Sequence, residues 1–412
     1  MNRIDDIKNA INSVASDSSS PSHDSFGRIR VSETVSIFDS KFLFDKLPHI
    51  WDEEIIGGAT SVHSSSDAQV LMSTAASGQA VIRQTRMHFN YQTGKSHLIM
   101  MTGVLSIENN VTKRIGYFTS SATSPYTANF DGLYFESDGS TINCCVAKTG
   151  TINSIAKSAW NLDKLDGNGP SGLTIDFSKT QIFVIDFQWL GVGSARFGFV
   201  INGETIYVHE FVHSNILTSV YMSSPNQAVR YEIRQTGTGT GSLQQICSTV
   251  ITEGGSQKFG VSGCLSNNNI SVSTPQINGQ YGILGIRLKS GYEHANISLE
   301  KLQIFSADDL RWMLCLNPHV SGTLNFNSIN NTFVEGFVGT NSAILLNSGT
   351  VLQQGYGAST FKGAILSESD FNYSENIRIG VGISGVRDTI FLVVSPFAAS
   401  SAYAALNFRQ TI

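Results

Sequence analysis

The sequence predicts an all-β protein, and three observations carry that prediction. Short segments of alternating apolar and polar residues recur from Phe26 onward, at 79–87, 97–105, 114–119, 132–136, 181–189, 195–201 and 204–211, and residues of such period-two segments line opposite faces of a strand. Asn202-Gly203 separates two of these segments, and Asn-Gly takes the two positive φ angles that a tight hairpin turn demands. Charged residues make up only 14% of the chain, against about 25% in ordinary domains, while 38 glycines punctuate the segments. A surface made polar by Ser, Thr and Asn suits sheets with hydroxyl and amide faces. The expected form is a β-sandwich or jelly roll with a smaller C-terminal β-domain and a short N-terminal helix.

The helix comes first. Ile4, Ile7, Ile11 and Val14 follow the a/d heptad spacing, and Ile at both positions favours three strands over two. Two heptads are marginal alone, so this stretch is expected to attach or oligomerise rather than stand free. Residues 16–25 (SDSSSPSHDS) read as a linker, which gives an arm over 1–25. The main domain is expected over 26–306. Within it Ile182, Val184, Phe187 and Trp189 supply a central strand, 235–242 (QTGTGTGS) a flexible loop, and 261–278 a long polar excursion. Strands return at 281–288 and 297–305. Beyond Ser306-Ala307-Asp308-Asp309 a Gly-rich domain is expected over 307–412, with strands at 311–316, 343–346, 377–383, 389–394 and 404–409.

Bulk properties exclude several functions. The net charge is −5 and the pI about 6.0, without a basic block, so no nucleic-acid surface is expected. No apolar run reaches the roughly 18 residues of a membrane span. The start of the chain, MNRIDDIKNA, lacks the apolar core of a secretory signal. The five cysteines, Cys144, Cys145, Cys247, Cys264 and Cys315, are odd in number and form no CxxC, as expected of free thiols in a reducing cytoplasm.

Several motifs have residue types that could carry chemistry, and their context decides each. His209-Glu210-Phe211-Val212-His213 is a literal H-E-x-x-H, which binds zinc when a helix brings both imidazoles to one face. Here it continues a strand out of the Asn-Gly hairpin, where residues four apart lie about 13 Å from each other, too far to share one ion. Asp163, Asp166 and Asn168 suggest a calcium loop, but their spacing is irregular and Thr174 offers no bidentate carboxylate, so a tight turn is the expected use. Asp176, Asp186, Glu204 and Glu210 are near enough in sequence to imagine a glycosidase pair, yet no two alternate on one strand. Trp51, Trp160, Trp189 and Trp312 could stack on sugars, although core packing is the expected role.

Several stretches resemble one family. They are DSFGRIRVS at 24–32, FDSK at 38–41, Arg83-Gln84, FNYQTGKS at 89–96, WNLDKLDG at 160–167, FQWLGVG at 187–193, YMSSPN at 221–226 and RYEI at 230–233. The chain is similar here to virion-associated structural proteins of tailed phages and large DNA viruses of aquatic hosts. Thr93 stands where that family usually carries Pro. The resemblance implies a particle component made in the host cytoplasm: a capsid decoration, head fibre, or tail or baseplate protein. Its partners would be other virion proteins and further copies of itself, a trimer foremost. It brings no catalytic residue, cofactor or metal. The hairpin in a Trp- and Phe-rich sandwich also resembles concanavalin-like lectin folds, which implies a rival role in binding host-surface glycans. An enzyme, either a glycan depolymerase or a zinc protease, is the third reading.

Overall fold

The computed structural model describes residues 23–30, 33–121, 124, 126–255, 260–340, 343–358, 368–370 and 379–411. Ile4, Ile7, Ile11 and Val14, with the helix expected there, lie outside them. The chain divides into two compact units, one running to Thr85 and over Phe89–Gln257, the other taking Arg86–His88 and Lys258–Ile412. The boundary expected at 306 falls inside the second unit. There residues 307–309 are a short turn between two strands whose apolar residues, Leu302 and Ile304 before it and Leu310, Trp312 and Leu314 after it, enter one core.

The first unit is a sandwich of two antiparallel sheets. One sheet runs, in spatial order, β13 (Glu204–Phe211), β12 (Ala195–Ile201), β11 (Gln181–Phe187), β6 (His97–Val104), β15 (Gly241–Glu253), β4 (Gln69–Thr74) and β3 (Thr60–Ser64). The strand β1 (Thr34–Lys41) pairs with the second half of β15, beyond an irregularity between Gln245 and Ser248. The other sheet runs β10 (Thr151–Ala156), β9 (Ile142–Lys148), β8 (Phe130–Ser137), β7 (Val111–Ser120), β14 (Val229–Gln235), β5 (Ala80–Thr85) and β2 (Trp51–Ile56). Asn202 and Gly203 both adopt positive φ, 54° and 84°, and join β12 to β13 as their sequence requires.

Alternation fixes which side chains fill the sandwich. Phe183 of β11 and Phe197 and Phe199 of β12 pack around Phe135 of β8, with ring centroids 5.1–5.2 Å apart. Tyr117 of β7 meets Phe187 of β11 in the same layer. Trp51 packs against Tyr231, and its Nε1 donates to Ser40 Oγ at 2.9 Å. Trp160 and Trp312 are buried as well, and Trp189 is half-buried, so the tryptophans serve packing.

The second unit is also β. One sheet orders 260–266, 400–411, 296–306 and 368–370, with 272–274 on the same partner strand. Another orders 327–328, 334–338, 281–288, 389–396, 310–316 and 350–357. The polar excursion expected over 261–278 is thus corrected: it contains two strands held by main-chain pairing to 400–411, which needs no apolar alternation of its own. The strand expected over 377–383 is corrected too. Its first two residues lie outside the described set. The rest forms a turn in which Gly382 N–H donates to Val386 O, and a Cβ on Gly380 would stand 2.2 Å from Arg86 O.

Phe135→Ala is expected to cost about 3–5 kcal/mol, because it empties the contact of four rings between the sheets. The exposed Ile216→Ala is expected to stay within about 0.5 kcal/mol. Denaturant unfolding of both variants checks the difference.

Candidate functional site

The motifs singled out in the sequence resolve one by one. His209 lies on β13, and its Nδ1 accepts the Asn161 N–H at 3.2 Å. His213 follows the strand, its Nδ1 is 2.6 Å from Gly193 O, and its ring stacks on Tyr221 at 4.1 Å. The ring of Phe211 sits next to both imidazoles. Burial holds His209 down to about 4 and lowers His213 as well. Among the described residues no group of three or more His, Cys, Asp or Glu side chains could hold a metal ion. The loop at 163–171 is a turn: Asp163 accepts the amides of Leu165 and Ser171, each at 2.8 Å, and Asp166 accepts that of Asn168 at 2.9 Å. Burial raises Asp163, but those amide donors outweigh it and hold the carboxyl below its ordinary value. A Cβ at Gly169 would sit 2.1 Å from Asp163 Oδ1, so that position has room only for hydrogen.

Of the four carboxylates considered, Asp176 and Glu204 are exposed, Glu210 is half-buried, and Asp186 is fully buried. The last is the unusual one. Phe183 and Phe187 face the sandwich interior, so Asp186 projects from the opposite face of β11. A hairpin turn formed by residues 23–30 covers it there. His23 and Ile29 bridge, Gly27 takes φ 73°, and Asp24 accepts the amides of Phe26 and Arg28. Of the linker expected over 16–25, residues 16–22 lie outside the described set; the rest is corrected, because His23, Asp24 and Ser25 are buried in this strap. The strap binds largely through its carbonyls. His23 O accepts Arg196 Nη2 at 2.7 Å, and Ser25 O accepts Gln188 Nε2 at 2.6 Å and Ser194 Oγ at 3.1 Å.

Five donors converge on Asp186. Oδ1 accepts Ser25 Oγ at 2.7 Å and Ser96 Oγ at 2.8 Å, while Oδ2 accepts Tyr207 OH at 2.7 Å and the guanidinium groups of Arg30 and Arg196. Arg30 reaches further with its other terminal nitrogen to Glu253 Oε1. One guanidinium therefore bridges two buried carboxylates from β11 and β15. Their environments differ. Burial alone would raise Asp186, but Arg196 and Arg30 outweigh it and hold the carboxyl below the ordinary carboxylate range. Burial dominates at Glu253, whose carboxyl is pushed up to about 7 in spite of Arg30. The sequence places Asp186 among four acids without pairing it; its partners Arg30 and Glu253 stand 156 and 67 residues away, and no short-range pattern links them.

A second feature is a solvent-open cleft of about 330 Å³ at the loop end of the same unit. Its walls come from the turn between β2 and β3, the end of β4, Glu108 before β7, and the start of β15. Thr60, Ser73, Thr240 and Ser242 are among the residues that line it.

No protein-family model and no curated protein matches the chain. Solved structures with a similar outline include a beta-glucanase of Bacillus licheniformis (11% identity, TM-score 0.32, 52% of this chain and 97% of that one). A legume lectin-like domain of Entamoeba histolytica (9%, 0.32, 52% and 97%) and a glycosyl hydrolase family protein of Mycobacterium fortuitum (9%, 0.36, 52% and 99%) are similar to the same extent.

Asp186→Asn keeps the shape but strands the buried Arg196 charge, and is expected to cost about 3–5 kcal/mol in denaturant unfolding. The pH dependence has a definite sign. Between the ordinary 4.5 and about 7, folded Glu253 holds a proton that the unfolded chain has released, so its contribution to stability falls as pH rises through that window. Wild type is therefore expected to lose stability relative to Glu253→Gln between about pH 5 and pH 8 in paired unfolding curves.

Proposed function

We propose that this chain is a non-enzymatic structural component of a virus particle, a capsid decoration, head fibre, or tail or baseplate protein, acting by self-assembly and display. The observation that carries this reading is the state of the Asp186–Glu253 pair. Hydrolysis by two carboxylates needs one free to attack or activate water and one free to donate a proton. In this chain a guanidinium from its own strap joins the two, and Asp186 is saturated by donors. Such a cluster ties the start of the first unit to its sheet, a mechanical task suited to a protein held on a particle by residues before it. The stretches that resemble virion-associated proteins include both the strap and the Phe187–Gly193 segment beneath it. On this reading the chain is made in the host cytoplasm, joins the virion, and meets its own copies as a trimer through residues 1–25.

A second role, binding of host-surface glycans, is compatible with display and is favoured by the hydroxyl-lined cleft.

Purified particles are expected to contain the chain at fixed stoichiometry by mass spectrometry. The isolated chain is expected to scatter light as a trimer of the 44.6 kDa protomer. A protomer-sized species that never cosediments with particles would remove the proposal.

A further inference from the structure

We propose that the cleft at the loop end of the first unit is a sugar-binding site for a single neutral hexose-type residue; the inference rests on the display reading and gives its glycan a location. The ligand class follows from what faces the opening. The hydroxyls of Thr60, Ser73, Thr240 and Ser242 make no hydrogen bond among the described residues, although each could donate one and accept two. Four unspent hydroxyls around one opening match a ligand that is itself a ring of hydroxyls. No aromatic ring and no cationic side chain lines the cleft. A phosphate or sulfate would meet Glu108.

Glu108 gives the site its polarity. Its Oε1 accepts Ser106 Oγ at 2.8 Å, and its Oε2 accepts the Ser242 amide at 3.1 Å and pairs with Lys113 Nζ at 2.9 Å. A carboxylate offers about four acceptor positions, so three donors leave capacity for a sugar hydroxyl. The buried Lys113 already balances its charge, which removes the advantage a cationic ligand would have.

The walls are set before any ligand arrives. Gln79 Oε1 accepts the amides of Ala75 and Ala76, and its Nε2 donates to Gly57 O at 3.0 Å, locking the loop after β4 to the turn before β3. Thr74 Oγ1 donates to Gln235 Oε1 at 3.1 Å. A Cβ at Gly241 would sit 2.7 Å from Val111 Cγ1, so the floor is close-packed. Ordering entropy is thus largely spent in folding rather than in binding. The volume lies at the small end of ligand pockets, about 300–1,000 Å³, which suits one sugar residue. Without a stacking ring the single-site affinity is expected in the millimolar range, and many copies on one particle would multiply it through avidity.

Saturation-transfer NMR on the full-length chain with methyl glycosides of glucose, galactose, mannose and N-acetylglucosamine, at about 10 mM each, tests the site. At least one glycoside is expected to receive transfer. The double variant Ser73→Ala/Thr240→Ala, which touches no side-chain hydrogen bond among the described residues, is expected to weaken binding by about tenfold or more. No transfer to any glycoside, or transfer equal in wild type and the double variant, overturns the proposal. Incorporation into particles, followed on the same variant, separates the two claims: particles that keep a sugar-blind chain leave the display role standing, whereas a chain absent from particles removes that role whatever it binds.

Discussion

A carboxylate taken wholly out of water is tolerable only when charge and hydrogen-bond donors surround it, and Asp186 meets that condition with five donors from four parts of the chain. Ser25 and Arg30 come from the strap, Ser96 from the start of β6, Arg196 from β12 and Tyr207 from β13. Each partner has to arrive for the charge to be satisfied. The cluster therefore fixes the register of three neighbouring strands and the path of the chain before β1 at once. The apolar layer between the sheets supplies the gross driving force, but it is indifferent to where residues 23–30 run. The ionic cluster is not.

The opposite sheet carries a counterpart. Arg114 joins Glu136 to Glu232, and Arg230 binds Glu232, Gln84 and the carbonyl of Tyr126. Tyr231 points into the sandwich, toward Ser248 on β15, so its neighbours Arg230 and Glu232 face outward and are buried there. Inside the sandwich Arg83 reaches Glu53, Gln245 and the carbonyl of Lys46. A chain with few charges thus commits many of them to internal pairs and leaves hydroxyls and amides to face solvent. Low charge content here reflects where the charges are used as well as how many there are.

The strands 195–201, 204–211 and 281–288 were legible because alternation and, for the first pair, an Asn-Gly turn are local signals, and their bounds agree with the structure. Strand 260–266 was not. Its residues are mostly exposed or half-exposed, Leu265 is its contact with the core, and its pairing is dictated by residues 405–411. The end of the segment expected as linker turns out to be strap for a related reason: it is held partly by main-chain carbonyls, which leave no trace in residue type, and partly by Ser25 and Arg30, whose acceptors Asp186 and Glu253 lie far along the chain. The cleft was invisible because it unites four loops. Asp186 was noticed for its proximity to other acids along the chain, while the groups that define it come from the two ends of the unit.

The pairing of 260–266 and 296–306 with the two edges of 400–411 also bears on birth order. The first unit has all its strands once residue 253 has left the ribosome, whereas the second lacks the central strand of one sheet until synthesis passes residue 411. At about 5–20 residues per second, that interval lasts roughly 10–30 s. Throughout it, 260–266 and 272–274 lack their partner strand and 296–306 keeps one edge unpaired, and unpaired strand edges make such a species prone to aggregate.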